Sequence, residues 1–397
     1  MQSKLSFVDF ICVFFIAFSA AVGLTPSLNP IAIYVLLPIT FLVCLIRSNF
    51  LGGNNYFAII LALYVWIALS STWAQYEDAA NRQLHQITGV IFLCVSLITL
   101  GKKVNLLPWL YIIYIVLYIS VWKYAYDNML SIMTDATDRL SDDSLNANTF
   151  GYYTFFYTFS TFMVSQITKG KVSILFYILF FAAIPISLFT ALFTASRQIL
   201  VIQIPLLSML LIAKYLRFNA RSFWRFLIVC FALFLFVKFI GLDLYDGSLL
   251  SERNEMTSED ETRMVLLRDA FSVGIQNPLL GVGANNFMYY TSKFNFSHCT
   301  YLELFANTGL LGALLFILLI VKFLRSQFIK YKNTHDVLFM YFLIFGFVYA
   351  VDNFFYVFYA DLWLMGFFFL IISHSETYYL LNYKNRKIVD NNENLRT

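Results

Sequence analysis

Twelve apolar stretches, most of them close to the ~20 residues a helix needs to cross a bilayer, run through this chain. They fall at 7–25, 31–46, 56–74, 87–101, 106–122, 149–168, 172–194, 198–213, 226–241, 302–323, 337–351 and 354–373. None has the weak alternating pattern of a membrane β-barrel strand. The spacing therefore predicts an all-α polytopic membrane protein of about twelve transmembrane helices. Composition agrees: hydrophobic residues make up 60%, charged residues 13%, and mean hydropathy is +0.71, outside the range of soluble domains. The first stretch follows Lys4 with no convincing small-residue cleavage site after it, so it reads as a retained helix rather than a signal peptide.

The net charge of +4 says little, but its distribution sets a topology. Arg47, Lys102/Lys103, Lys169/Lys171, Lys214/Arg217/Arg221/Arg225, Arg325/Lys330/Lys332 and Lys384/Arg386/Lys387 all fall between apolar stretches on one side. That side is the cytoplasm by the positive-inside rule, and it takes both termini. The other side receives Glu77/Asp78, an acidic segment from Asp127 to Asp143, Arg197, the one long polar segment and Asp352. The expected organisation is transmembrane helices 1–9 over 1–241, a large outer loop over 242–301, helices 10–12 over 302–373, and a cytoplasmic tail over 374–397. Cys12, Cys44, Cys94, Cys230 and Cys299 lie singly, which favours neither a disulfide framework nor a metal knuckle.

The outer loop carries the densest polar chemistry. Ser258-Glu-Asp-Glu261 has capping-box spacing and opens a helical pattern that stops at Gly274, so a short amphipathic helix over 259–273 is expected at the outer membrane surface. Arg263 and Arg268 lie about 140° apart around it and should serve different partners. Asn277-Pro278 and Gly281-Val-Gly283 turn the chain back toward the bilayer; no parallel-sheet context makes those glycines a dinucleotide fingerprint. Thr300-x-x-Glu303 is a second possible capping box, placing His298 beside a helix N-terminus whose dipole favours neutral imidazole.

Two shorter outer segments, 73–85 with Glu77, Asp78, Arg82 and His85, and 123–148 with Asp135, Asp138, Arg139, Asp142 and Asp143, read either as solvated loops or as re-entrant or interfacial structure. An arginine at membrane depth, such as Arg197, requires an acidic or anionic partner unless it snorkels to the interface. His85, His335 and His374 are scattered, and Asp142-Asp143 lacks partners at ligand spacing, so no metal site and no cofactor are expected. Tyr289, Tyr290 and Tyr301 could stack on sugars or anchor at the interface.

Arg263, then Asn277-Pro-Leu-Leu-Gly-Val-Gly-Ala-Asn-Asn-Phe287, then His298-Cys-Thr-Tyr-Leu-Glu-Leu-Phe-Ala-Asn-Thr-Gly-Leu-Leu-Gly312 together resemble the signature of the O-antigen ligase and O-antigen polymerase superfamily. Thr194-Ala-Ser-Arg197 resembles its upstream Ser-Arg motif; Ser70-Ser-Thr-Trp-Ala74 and Asn148-Thr-Phe-Gly151 are weaker matches. Cys299 departs from the Asn that commonly follows the histidine. The resemblance implies a GT-C-like, metal-independent, inverting glycosyltransferase of the bacterial inner membrane, facing the periplasm and using an undecaprenyl-diphosphate-linked glycan as donor. It further implies Arg197 and Arg263 on the diphosphate, where permanently charged guanidinium forks offset developing charge, and His298 as base for the acceptor hydroxyl. Arg82, Arg268, Glu303 and Tyr301 are second-rank contacts to diphosphate or glycan.

On that resemblance the leading expectation is a polymerase of lipid-linked repeat units in lipopolysaccharide or capsular polysaccharide biosynthesis. Its partners would be a lipid-linked donor, a glycan or lipid-linked acceptor, membrane lipids, and a flippase and chain-length regulator, with no nucleic acid. The alternative is an O-antigen ligase that passes the glycan to lipid A-core or another terminal acceptor. A non-enzymatic transporter of lipid-linked sugars would need midplane charges or broken helices and a repeat between halves; no repeat is evident, while Asp352, Asp361 and Lys238 are the charges it would use.

Overall fold

A computed structural model describes residues 6–22, 25, 27–47, 55–128, 147–194, 197–215 and 258–384, and among them every regular element is helical. In chain order these are α1 (Phe7–Val22), α2 (Asn29–Arg47, with a π turn over Ala32–Leu36), α3 (Asn55–Ser70) and α4 (Glu77–Gly101). Then come α5 (Leu107–Asn128), α6 (Ala147–Ile167), α7 (Gly170–Thr194) and α8 (Arg197–Tyr215). The last four are α9 (Ser258–Gln276), α10 (Thr300–Thr334), α11 (Val337–Asp352) and α12 (Leu362–Tyr379). By length and composition seven of them, α2, α3, α4, α5, α7, α10 and α12, can cross a bilayer, while α1, α8 and α11 contribute shorter apolar helices. The stretch at 226–241, Lys238, Cys230 and the acidic residues Asp135 to Asp143 lie outside the described residues.

Two helix starts differ from the sequence expectation. Residues 73–85 are mostly helical rather than loop: a 3-10 turn over Ser71–Trp73 leads through residues 74–76 into α4, whose first turn holds Glu77 and Asp78. Carboxylates there meet the positive end of the helix dipole, and Ala79, Ala80 and Gln83 are buried beneath them. α12 begins eight residues later than expected, at Leu362, because the Asp361 carboxylate accepts the Trp363 and Leu364 backbone N–H groups and caps it there.

The chain divides into two compact units, one holding Met1–Cys12, Val35–Leu106 and Ser258–Thr397, the other Val13–Tyr34 and Leu107–Thr257. In the first, α4 packs on α12 and on the Leu37–Arg47 part of α2, and α10 packs on α3, α9 and α11. At one end of this unit the buried Asp9 carboxylate takes Arg47 at 3.1 Å and Lys103 at 2.5 Å. A charge so deeply desolvated persists because both its oxygens are paired. In the second unit α6 is packed by α5, α7 and α8 through buried Phe155, Phe156, Phe159 and Phe162. A Cβ on Gly151 would lie 2.8 Å from Ile199 Cγ1, so Asn148-Thr-Phe-Gly151 opens α6 against the first turn of α8.

Candidate active site

α9 lays Leu266, Ala270 and Val273 into a small core with Val282, Phe287 and Ala306. Arg263, seven residues before Ala270, lies on that inward face at two turns' spacing and is half-buried. Arg268 faces out and is exposed, as their angular separation predicts. The helix runs three residues past its expected end, from Ser258 to Gln276, because Gly274 serves as a contact rather than a stop: a Cβ there would meet the Phe305 ring at 2.3 Å. Its outer edge, with Met264, Phe271 and Ile275 exposed, has the composition suited to lie against lipid.

The glycine turn seats against a break in α10. Gly309 has φ 72° and ψ −170°, and Leu279 O would lie 2.2 Å from a Cβ added there. The carbonyls released by the break are used at once: Val282 N–H donates to Ala306 O, Gly283 N–H to Asn307 O, and Trp66 Nε1 to Thr308 O. On the turn's other side a Cβ on Gly283 would sit 2.5 Å from Ala74 Cα, and Trp73 Nε1 donates to Leu280 O at 3.2 Å. The Ser70 to Ala74 motif is thus a wall for the turn. Asn286, fully buried, accepts the Tyr76 N–H at 2.8 Å and donates to Ala284 O.

His298 stands in the last loop before α10 with a backbone φ of 56°, a left-handed conformation that histidine seldom adopts without surroundings that impose it. The imposing contacts lie on either side. Glu303 Oε2 accepts Ser297 N–H at 2.6 Å, Oε1 accepts Asn307 Nδ2 at 3.0 Å, and Asn307 Oδ1 accepts Phe287 N–H at 2.8 Å. One buried carboxylate therefore ties the histidine loop to the glycine turn. Thr300 N–H donates to Asn353 O and its hydroxyl to Tyr356 O, while Phe358 N–H donates to that hydroxyl. The expected capping box is consequently not formed. Thr300 is the first helical residue, not the cap; Cys299 occupies the cap position without a side-chain bond, and Glu303 reaches past it to Ser297.

The imidazole packs on Phe296 at 4.2 Å, and the residue is half-buried. Burial first, and then the nearby Arg263 guanidinium, push its pKa from 6.5 down to about 4, so it is neutral at pH 7. The structure thus brings Arg263 and His298 into electrostatic reach of one another. Arg82 is exposed on α4 with Nη2 3.5 Å from the Tyr289 hydroxyl, and Tyr289 stacks on Tyr76 at 3.8 Å. Tyr301 donates to Ala350 O, and both Glu303 oxygens accept protein donors. Arg197 opens α8 in the second unit, and its side chain is outside what the structure describes. Sequence reading missed Asn286 and Asn307; an Asn beside paired glycines and another four residues after a Glu were the available signals.

Residues 179–317 match the family model described as O-antigen ligase, a span that takes in Arg197, Arg263, His298 and Glu303. No curated protein matches the chain.

Proposed function

Starting from the O-antigen ligase domain over residues 179–317, we propose that this protein is an inverting glycosyltransferase acting on undecaprenyl-diphosphate-linked glycan, and that it polymerises repeat units. The observation that carries the reading is His298: a neutral imidazole in a strained backbone, locked by the Glu303 network and facing the field of a permanent cation. In the reaction the acceptor hydroxyl oxygen bonds to the anomeric carbon and gives its proton to His298. The bond from that carbon to the diphosphate oxygen breaks, and its electron pair leaves with the diphosphate. Arg263 and Arg197 neutralise the charge that builds there, without a metal ion.

An imidazole whose pKa is lowered to about 4 is by itself a weak base. A diphosphate bound at Arg263 offsets that charge, the lesser of the two causes after burial, and its own negative charge favours imidazolium. A transporter would leave the break in α10 open to cargo, whereas here Val282, Gly283 and Trp66 bond its backbone.

The ligase reading is favoured by the description of the matched family itself. One assay separates the two: purified protein in lipid, with undecaprenyl-diphosphate repeat units as sole substrate and EDTA present, comparing wild type with His298→Ala. A glycan ladder from wild type alone supports polymerisation and the role of His298. Product only after lipid A-core is supplied makes the protein a ligase, and a fully active His298→Ala removes the base.

A further inference from the structure

The helix ends farthest from His298 enclose a cavity of about 670 Å³. Lys322 lies 22 residues beyond Thr300 on α10, on the far side of the break at Gly309. The cavity therefore lies toward the opposite end of α10 from the histidine loop. Four cations line it: Lys102 just past α4, and Lys322, Arg325 and Lys330 on α10. Its one lining carboxylate, Glu376 on α12, is already engaged by Lys330 at 2.7 Å, and the buried Lys330 also donates to Ser375 Oγ at 3.1 Å. Among the described residues Lys102, Lys322 and Arg325 have no acidic partner.

Lys322, Arg325 and Ile329 follow at spacings of three and four on α10, so two cations without an acidic partner among the described residues, one of them over the Tyr56 ring at 5.2 Å, share a face with an apolar side chain. Like charges gathered in one concave site repel one another, modestly where water screens them as at the exposed Lys102 and Arg325, and an anion between them removes that repulsion. The rest of the wall is greasy. Ile98, Ile329 and Leu380 line the cavity, and on the bilayer side of the cations Leu318, four residues before Lys322, and Val321, four before Arg325, are 50% and 52% exposed.

We propose that this cavity binds the phosphate headgroup of an anionic phospholipid, with the acyl chains running back toward the bilayer along Val321 and Leu318. Arg325 supplies a fork for two phosphate oxygens, and Lys322 and Lys102 supply point charges around it. Phosphate alone would satisfy the cations but leave the apolar wall uncovered, and a zwitterionic lipid would bring its own cation into a site that already has an excess. The site is separate from the glycan chemistry and stands whether or not that reading holds.

The test uses full-length protein in neutral detergent and native mass spectrometry of retained lipid, with phosphatidylglycerol as probe, phosphatidylcholine as zwitterionic control and inorganic phosphate as competitor. Wild type should retain phosphatidylglycerol at least about tenfold over phosphatidylcholine, and Lys322→Gln/Arg325→Gln should lose about that factor. Lys102→Gln, at an exposed position that does not threaten folding, should weaken retention about threefold. Equal retention of the two lipids overturns the proposal. So does wild-type retention by the double variant or, should that variant not fold, by Lys102→Gln. Displacement of the lipid by millimolar phosphate would make the cavity a free-anion site and overturn the lipid assignment.

Discussion

Glu303, on the first turn of α10, accepts the Ser297 backbone N–H at 2.6 Å, six residues back along the chain and immediately before His298. Its second oxygen holds Asn307, which holds the glycine turn. Glu303 is thus a positioning residue on this geometry, and it supplies the first prediction. Removing its carboxylate leaves buried donors unmatched, a loss of about 1–3 kcal/mol, and frees the loop that aims the imidazole. Glu303→Ala should lower kcat by roughly 100-fold, with KM changed little, and Glu303→Gln should recover part of it. A Glu303→Ala enzyme whose kcat stays within about twofold of wild type would remove the positioning role.

The left-handed backbone at His298 predicts a separation of stability from activity. His298→Gly relieves strain on the order of 1 kcal/mol while losing the ring contact to Phe296, so the two changes oppose each other. Thermal unfolding should move only slightly, whereas transfer should fall by ~100-fold or more with the proposed base gone. His298→Asn, which tolerates that backbone, should match it in stability and in lost activity. Retained transfer in either variant would show that the imidazole takes no proton.

A pH dependence follows from the lowered pKa. Unfolded chain protonates this imidazole below its ordinary 6.5, while the folded protein resists until about 4. Between those values the unfolded state binds more protons, so this contribution to stability is complete above 6.5 and is lost as pH falls toward 4. Melting temperature in detergent should drop through that window in wild type, and His298→Asn should lack that part of the drop. Because burial outweighs the Arg263 charge, Arg263→Gln should shift the lower limit upward without closing the window. Parallel curves for wild type and His298→Asn would contradict the assignment.

Gly309 is the position least able to accept a side chain. Its φ of 72° with ψ of −170° lies in territory essentially reserved for glycine, and Leu279 O would stand 2.2 Å from the added carbon. Gly309→Ala should destabilise by roughly 2–4 kcal/mol and detach the glycine turn from α10, seen as early unfolding and loss of transfer together. A variant with wild-type melting behaviour would mean that α10 can run straight here.

Much of this protein was legible before any coordinates, and the reasons differ from element to element. Length and apolarity alone placed α2, α3, α5, α7 and α10, since a lipid-facing helix must be apolar on every side for about 20 residues. The inward register of α9 was readable from Leu266, Ala270 and Val273 because a one-sided core imposes a 3.6-residue period. The start of α4 was not, since its first two turns are polar by composition and helical by capping charge and by packing of Ala79 and Ala80.

For the site, it was the family resemblance that pointed to Arg263 for a diphosphate and His298 for a hydroxyl, the roles proposed above. Sequence alone could not decide that Glu303 faces inward to hold a backbone N–H, that Thr300 binds the loop ahead of α12, or that α10 breaks at Gly309. Those outcomes depend on which donors and acceptors from distant segments meet in a space too dry for water to substitute. Local periodicity and capping patterns know only near neighbours along the chain. A buried polar group is satisfied by whatever the tertiary fold brings to it.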